Sequence, residues 1–80
     1  MKPAPGESRD LGEQPLAELL VEHGLAAKDL VAASEDQITH KMVTRGAKGR
    51  WLSPKVRAKL VRALNAAAGT RYVERNLFEY

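Results

Sequence analysis

The side chains with the clearest chemical character lie in a segment of Lys and Arg residues that contains no carboxylate. Between Gln37 and Val73 the sequence has nine Lys or Arg residues and no Asp or Glu. The first 36 residues have the opposite balance, with eight acidic residues against three basic ones. A long segment of one charge repels itself and weakens the compact state, and its usual partner is a polyanion.

Hydrogen-bonding side chains recur at helical spacing within this basic segment. At about 100° of rotation per residue, Ile38 and Met42 share one face of a helix. The opposite face carries amide, imidazole, hydroxyl and ammonium groups. Such groups can bond to the base edges of duplex DNA in the major groove, where Gln suits adenine and Lys suits guanine. The candidate base-contacting residues are Gln37, His40, Lys41 and Thr44.

A second set of cations could bind the phosphate groups of the same duplex. The segment 45–50 is expected to be a basic loop in which Gly46 and Gly49 let the backbone come close to a ligand. Two further lysines fall at the start of the next helix, whose positive N-terminal end also favours anions. The candidate phosphate-contacting residues are Arg45, Lys48, Arg50, Lys55 and Lys59.

Capping signals divide the sequence into the helices that would position these groups. Residues 34–37 read Ser-Glu-Asp-Gln, the pattern of a capping box in which Ser34 and Gln37 each bond to the other's backbone N–H. Ser53-Pro54 is a second helix start, with serine at the N-cap and proline in the first turn. The predicted helices cover residues 14–23, 26–33, 35–45 and 54–68.

We expect the two ends of the chain to differ in structure. Residues 1–12 contain Pro3, Pro5 and Gly6 amid mixed charge, and we expect a disordered tail there. The segment 70–80 holds three of the four aromatic residues, which is too much apolar surface to leave in water. This tail could pack on the chain's own core or pair with a second copy in a homodimer. Its apolar residues are Tyr72, Val73, Leu77, Phe78 and Tyr80.

Length and composition exclude several classes of protein. A chain of 80 residues forms one domain with a modest core. It has no cysteine, so neither disulfides nor thiolate zinc sites are expected, and no cofactor or small-molecule substrate is implied. No carboxylate pair or activated serine indicates an enzyme. There is no signal peptide or membrane-spanning run, which favours a cytoplasmic protein. Helical periodicity without alternation predicts an all-α bundle of four to five short helices.

The segment 52–65 carries a resemblance to a known family; it reads LSPKVRAKLVRALN. It is similar to the helix that follows the recognition helix in lac-repressor-type headpieces, with their Ser-Pro start. The segment 24–30 resembles the entry to the first motif helix of phage-repressor-like regulators. Over about 15–65 the chain thus resembles a helix-turn-helix domain, which implies a small transcriptional regulator. The resemblance implies that a recognition helix presents these residues to the major groove: Gln37, His40, Lys41 and Thr44.

The same sequence is compatible with a second function. A small helical adaptor could bind a partner protein through the apolar C-terminal tail and the acidic N-terminal half. RNA binding through exposed aromatic side chains is less favoured, because Trp51 is the only aromatic residue within 37–62.

Overall fold

The computed structural model of the chain describes residues 12–79. Within this range the structure is five α-helices without a β-strand, which confirms the all-α prediction. None of the described helices is long and apolar enough to cross a membrane. The disordered tail expected at 1–12 falls, except for Gly12, outside the described residues. The helices are α1 Pro15–Glu22, α2 Ala27–Ala33, α3 His40–Lys48, α4 Pro54–Ala68 and α5 Glu74–Leu77.

The longest helix, α4, begins and ends where the sequence predicts. The Ser53 hydroxyl accepts a hydrogen bond from the backbone N–H of Val56 at 3.4 Å. Pro54 is the first helical residue, where its missing N–H removes no helical bond. Gly69 ends the helix with a φ of 68°, a left-handed conformation that glycine adopts at the least cost. Both signals are local in sequence, so they predict both ends correctly.

The first two helices match their predicted ranges to within one residue at each end. Pro15 opens α1, and α1 buries Leu16 completely. At the start of α2 the Asp29 carboxylate accepts a hydrogen bond from the backbone N–H of Ala26 at 2.7 Å. This bond stabilises a helix start that otherwise has only alanine at the N-cap. Leu30 is the fully buried residue of α2.

One apolar core receives residues from every helix. The helices α2 and α4 make the most extensive contact, and α3 packs against α1, α2 and α4. A fully buried leucine contributes about 1.5–3 kcal/mol to folding, so these residues dominate the stability of a small domain. The core residues are Leu16, Leu30, Ile38, Val43, Leu60, Ala63, Leu64, Leu77 and Phe78.

The C-terminal segment is ordered and packs on the chain's own core. Leu77 is fully buried and Phe78 is only 3 % exposed, while α5 contacts both α1 and α4. The Asn65 side chain holds the preceding turn, because it accepts from the backbone N–H of Tyr72 at 2.8 Å and donates to the Tyr72 carbonyl at 3.0 Å. Of the two outcomes predicted for this tail, the structure has intramolecular docking. Tyr80 lies outside the described residues.

The start of α3 differs from the prediction. The Ser34 hydroxyl accepts from the backbone N–H of Asp36 at 3.0 Å and donates to the Asp36 carbonyl at 2.9 Å. Such local bonds compete with helix capping, so the capping box with Gln37 does not form and the predicted helix 35–45 was wrong at its start. Residues 34–39 instead connect α2 to α3.

The cap of α3 is Thr39. Its hydroxyl accepts a hydrogen bond from the backbone N–H of Met42 at 3.2 Å, which satisfies one of the free donors at the helix start. Ile38, just before the cap, is only 7 % exposed and enters the core. The connection therefore places an apolar residue inside before the helix begins.

The basic loop predicted over 45–50 was also wrong, because α3 continues to Lys48. Gly46 lies inside the helix and is buried. A Cβ atom there would lie 2.9 Å from Leu52 Cδ1 and 3.3 Å from Phe78 Cε1, so this glycine allows α3 to approach the core rather than a ligand. Gly49 ends the helix with a φ of 102°, and a side chain there would collide with the backbone of Gly12.

Candidate nucleic-acid interface

The helix α3 has one buried face and one exposed face. Val43 and Gly46 are buried, and Met42 and Ala47 are half buried. At about 100° per residue, the exposed positions span an arc of roughly 140°. We refer to this arc as the outer face of α3. It consists of His40, Lys41, Thr44, Arg45 and Lys48.

Three of the four candidate base-contacting residues lie on this outer face, and the fourth does not. Gln37 is exposed, but it belongs to the connection before α3 and not to the helix. The helical repeat therefore does not determine the position of its amide. His40, Lys41 and Thr44 occupy the first five residues of α3, which is the end of the helix nearest to Gln37.

The candidate phosphate-contacting residues are spread over α3, the following connection and α4. Arg45 is part of the outer face of α3 and not of a loop. Arg50 and Lys55 are exposed, whereas Lys59 is half buried one turn further along α4. Residues 49–53 separate the two helices and span at most roughly 20 Å when extended. The end of α3 and the start of α4 therefore lie within roughly 20 Å of each other.

The N-terminal turns of α3 and α4 have a charge pattern that does not stabilise the helices. Neither has an acidic residue in its first turn, whereas α1, α2 and α5 each have one. Lys41 and Lys55 stand there instead. A cation at this positive end costs roughly 0.3–1 kcal/mol, and an anion bound between the lysine and the free backbone N–H groups would reverse that cost.

Four cations of α3 and α4 have no acidic partner among residues 12–79. No ion pair or hydrogen bond joins a carboxylate of this range to the side chains of Lys41, Arg45, Lys48 or Lys55. Because these charges are not neutralised within the described part of the chain, they are available to an anionic ligand.

Two other cations of the basic segment are neutralised by acids that flank it in sequence. Arg62 Nε donates to Asp36 Oδ2 at 2.9 Å, and Arg57 Nη1 lies 3.3 Å from Glu74 Oε2. Of the nine basic residues between 37 and 73, Arg57 and Arg62 therefore form ion pairs with acids of the described range 12–79. The basic segment contains no acidic residue in sequence, but in the fold Asp36 and Glu74 lie next to two of its arginines.

The Asp36–Arg62 pair was not predicted from the sequence. The hydrogen bond from Arg62 is the main reason that the pKa of Asp36 is lowered; partial burial opposes it, and the charges of Arg62 and Lys59 lower the pKa further. Part of the positive potential of Lys59 is thus offset by Asp36. The partners are 26 residues apart, and no local pattern indicates such a pairing.

Arg57 is a second residue whose role the sequence did not indicate. It is 9 % exposed, on the buried face of α4. Its guanidinium lies over the Trp51 ring at 5.9 Å from the centroid, a cation–π distance. Trp51 is half buried and packs beside α4, in agreement with a structural role in the connection.

Neither a family model nor a curated protein nor a solved structure matches this chain.

Proposed function

We propose that the chain is a small DNA-binding protein, a transcriptional regulator that places the outer face of α3 in the major groove of duplex DNA. The observation that carries the proposal is the row of exposed hydrogen-bond donors and cations on this face, without acidic partners among residues 12–79. A surface helix that served only to cover the core would gain stability from mixed charges at helical spacing. The helix α3 contains no acidic residue, so its exposed face is better suited to binding a polyanion than to stabilising the helix in water.

Within this proposal the first turns of α3 read the bases. Lys41 donates to guanine O6 or N7, and Thr44 and His40 bond to neighbouring base edges. Gln37 approaches adenine from the connection before the helix. The N-terminal part of a recognition helix is the part that usually meets base edges in helix-turn-helix proteins, and the polar non-cationic groups are concentrated there.

The remaining cations hold the phosphates. Arg45 and Lys48 lie on the outer face of α3, and Arg50 follows in the connection. Lys55 sits in the first turn of α4, where backbone N–H groups favour an anion. Lys59 contributes less, because Asp36 offsets part of its charge. Phosphate contacts of this kind orient a protein on the duplex and supply most of its sequence-independent affinity.

The order of the helices supports a helix-turn-helix arrangement. Seven-residue α2 precedes the 34–39 connection, and nine-residue α3 follows it. Behind them α4 packs on both helices, so α3 is held against a rigid support. His40, Lys41 and Thr44 therefore stand on a fixed element, as recognition of base edges requires.

The salt dependence of duplex binding tests this proposal. With four to six phosphate contacts, the logarithm of the association constant should fall against the logarithm of salt concentration with a slope of roughly −4 to −5. Lys48→Ala should reduce that slope by about one. Lys28→Ala removes an exposed lysine from α2 and should leave the slope unchanged. Absence of binding at low salt, or an equal effect of both substitutions, would rule out the proposed surface.

The adaptor alternative has less support. It depends on an apolar C-terminal tail that is available to a partner, and Leu77 and Phe78 are instead buried in the chain's own core. A partner would have to displace them, at a cost of about 1.5–3 kcal/mol for each side chain.

A further inference from the structure

Val21 and Val73 are the two large apolar side chains that stay exposed in the described part of the chain. Val21, in the last turn of α1, is 82 % exposed, and Val73, which precedes α5, is 48 % exposed. The surroundings of these two residues carry opposite charges. We propose that they meet between two copies of the chain, and that the protein is a two-fold dimer.

The surroundings of Val21 are acidic. Val21 and Ala17 form the apolar floor of a shallow groove whose remaining lining residues are Glu13, Glu18 and Glu22. Glu22 stands in the last turn of α1, a turn that contains no basic residue. A carboxylate at this negative end of a helix is unfavourable, so the stability of α1 does not explain Glu22, whereas Glu18 in the first turn does stabilise the helix.

The surroundings of Val73 are basic. Arg71 and Arg75 lie on either side of it and are exposed. The adjacent acid, Glu74, forms an ion pair with Arg57 at 3.3 Å, so its charge is already neutralised. Val73, Glu74 and Arg75 line a depression of their own. The surface around Val73 is therefore complementary to the acidic groove of α1. Its two arginines are opposite in charge to the glutamates, and both surfaces have an apolar centre.

The two surfaces can be joined reciprocally. The helices α1 and α5 pack against each other, and His23 Nε2 lies 2.9 Å from the Tyr72 hydroxyl. Because the two elements are neighbours in one chain, each copy can offer both surfaces to its partner around a two-fold axis. The area buried by two such contacts is small compared with the roughly 1,200–2,000 Å² of surface that a stable interface buries. The dimer is therefore weak and depends on protein concentration and on salt.

This inference does not depend on DNA binding, because association is measured without DNA. Sedimentation equilibrium of the full chain should show a monomer–dimer equilibrium that shifts toward the monomer at high salt. Val21→Ser should weaken dimerisation by roughly tenfold or more. A chain that stays monomeric up to about 1 mM would overturn the proposal.

Charge reversal supplies the decisive experiment. The double variant Glu18→Arg/Glu22→Arg makes both surfaces basic, and Arg71→Glu/Arg75→Glu makes both acidic. Each variant alone should be monomeric, and an equimolar mixture should form a heterodimer. Lys28→Glu, on the exposed side of α2, should leave the dimer unchanged, and thermal melting by circular dichroism checks that every variant is folded. A mixture that stays monomeric although wild-type protein dimerises would show that other residues form the interface.

Discussion

The side chain of Gln14 accepts a hydrogen bond from the backbone N–H of Glu79 at 2.7 Å and so joins the start of α1 to the C-terminal end of the described chain. The same amide donates to the Gly12 carbonyl at 2.8 Å. The Gln14 backbone N–H donates to the Ala47 carbonyl of α3 at 3.0 Å. Gln14 is only 3 % exposed, whereas Gly12 and Glu79 are exposed, so the two side-chain bonds are partly buried. One buried glutamine thus connects both ends of the described chain to the candidate recognition helix.

Replacing this glutamine should destabilise the whole domain. Gln14→Ala leaves the backbone N–H of Glu79 and the carbonyl of Gly12 without their side-chain partner, at a cost of about 0.5–1.5 kcal/mol for each of these partly buried hydrogen bonds. Urea denaturation should show a lower midpoint with an unchanged slope. The control is Gln37→Ala, since Gln37 is the other glutamine of the chain and is exposed; its effect should stay within about 0.5 kcal/mol. Equal effects of the two substitutions would contradict the structural role of Gln14.

Gly46 should not tolerate a larger residue. Gly46→Val introduces methyl groups where Leu52 Cδ1, Leu60 Cδ1 and Phe78 Cε1 already lie within 3.3 Å of a Cβ position. Overpacking of this kind costs about 1–3 kcal/mol, and it should push α3 away from α4. Ala32→Val puts the same branched residue at an exposed position of α2, so it reports the helix-propensity cost alone. Valine has a better helix propensity than glycine, so propensity alone would favour Gly46→Val, and a loss of stability in thermal or urea unfolding that exceeds that of Ala32→Val measures the overpacking at Gly46.

The sequence predicted α4 well and α3 poorly for a physical reason. The ends of α4 depend on Ser53, Pro54 and Gly69, which act on backbone groups within a few residues. At the start of α3 two residues could cap the helix, and Ser34 instead bonds to Asp36 within the connection. Thr39 takes the cap. Which hydroxyl caps a helix depends on where the chain must turn, and that depends on the core.

The exposed face of α3 was nevertheless predicted, because helical periodicity does not depend on the exact start. His40, Lys41 and Thr44 share a face wherever the helix begins. The Asp36–Arg62 pair and the burial of Arg57 could not be predicted, since they join residues far apart in sequence. The composition of the C-terminal tail predicts burial of its apolar residues, but it does not determine whether they are buried in the chain's own core or against a second copy.

Acid should weaken the fold partly through Asp36. The hydrogen bond from Arg62 lowers the pKa of Asp36 in the folded protein below its ordinary value of 3.8. A carboxylate with a lowered folded pKa stabilises the protein above its unfolded pKa, and this contribution is lost as pH falls through the folded value. Asp36→Asn should therefore reduce stability at neutral pH and flatten the stability profile below pH 3.8.

The matched control for this titration is Glu35→Gln. It removes the same charge from the neighbouring exposed residue and leaves the Asp36–Arg62 ion pair intact. Melting temperatures recorded from neutral pH down to about pH 2 should then follow wild type for Glu35→Gln and depart from it for Asp36→Asn. Parallel profiles for all three proteins would mean that the ion pair does not contribute to stability.

Base-reading and phosphate-binding residues should differ in how they affect specific and random DNA. Selection from a random duplex library first supplies the preferred sequence. Lys41→Ala should then cost about 1–3 kcal/mol on the preferred duplex and relax the preference at one or two base pairs. Lys55→Ala should weaken binding to preferred and random duplexes alike, because a phosphate contact carries no base information.

The comparison of these two lysines is informative because both occupy the first turn of a helix and both are exposed. Removal of either one changes the net charge equally, so a purely electrostatic surface would respond to both in the same way. A difference confined to Lys41 would identify α3 as the helix that reads bases. Identical losses on preferred and random duplexes would mean that the outer face of α3 binds DNA only through charge, and a different element would have to account for any sequence preference.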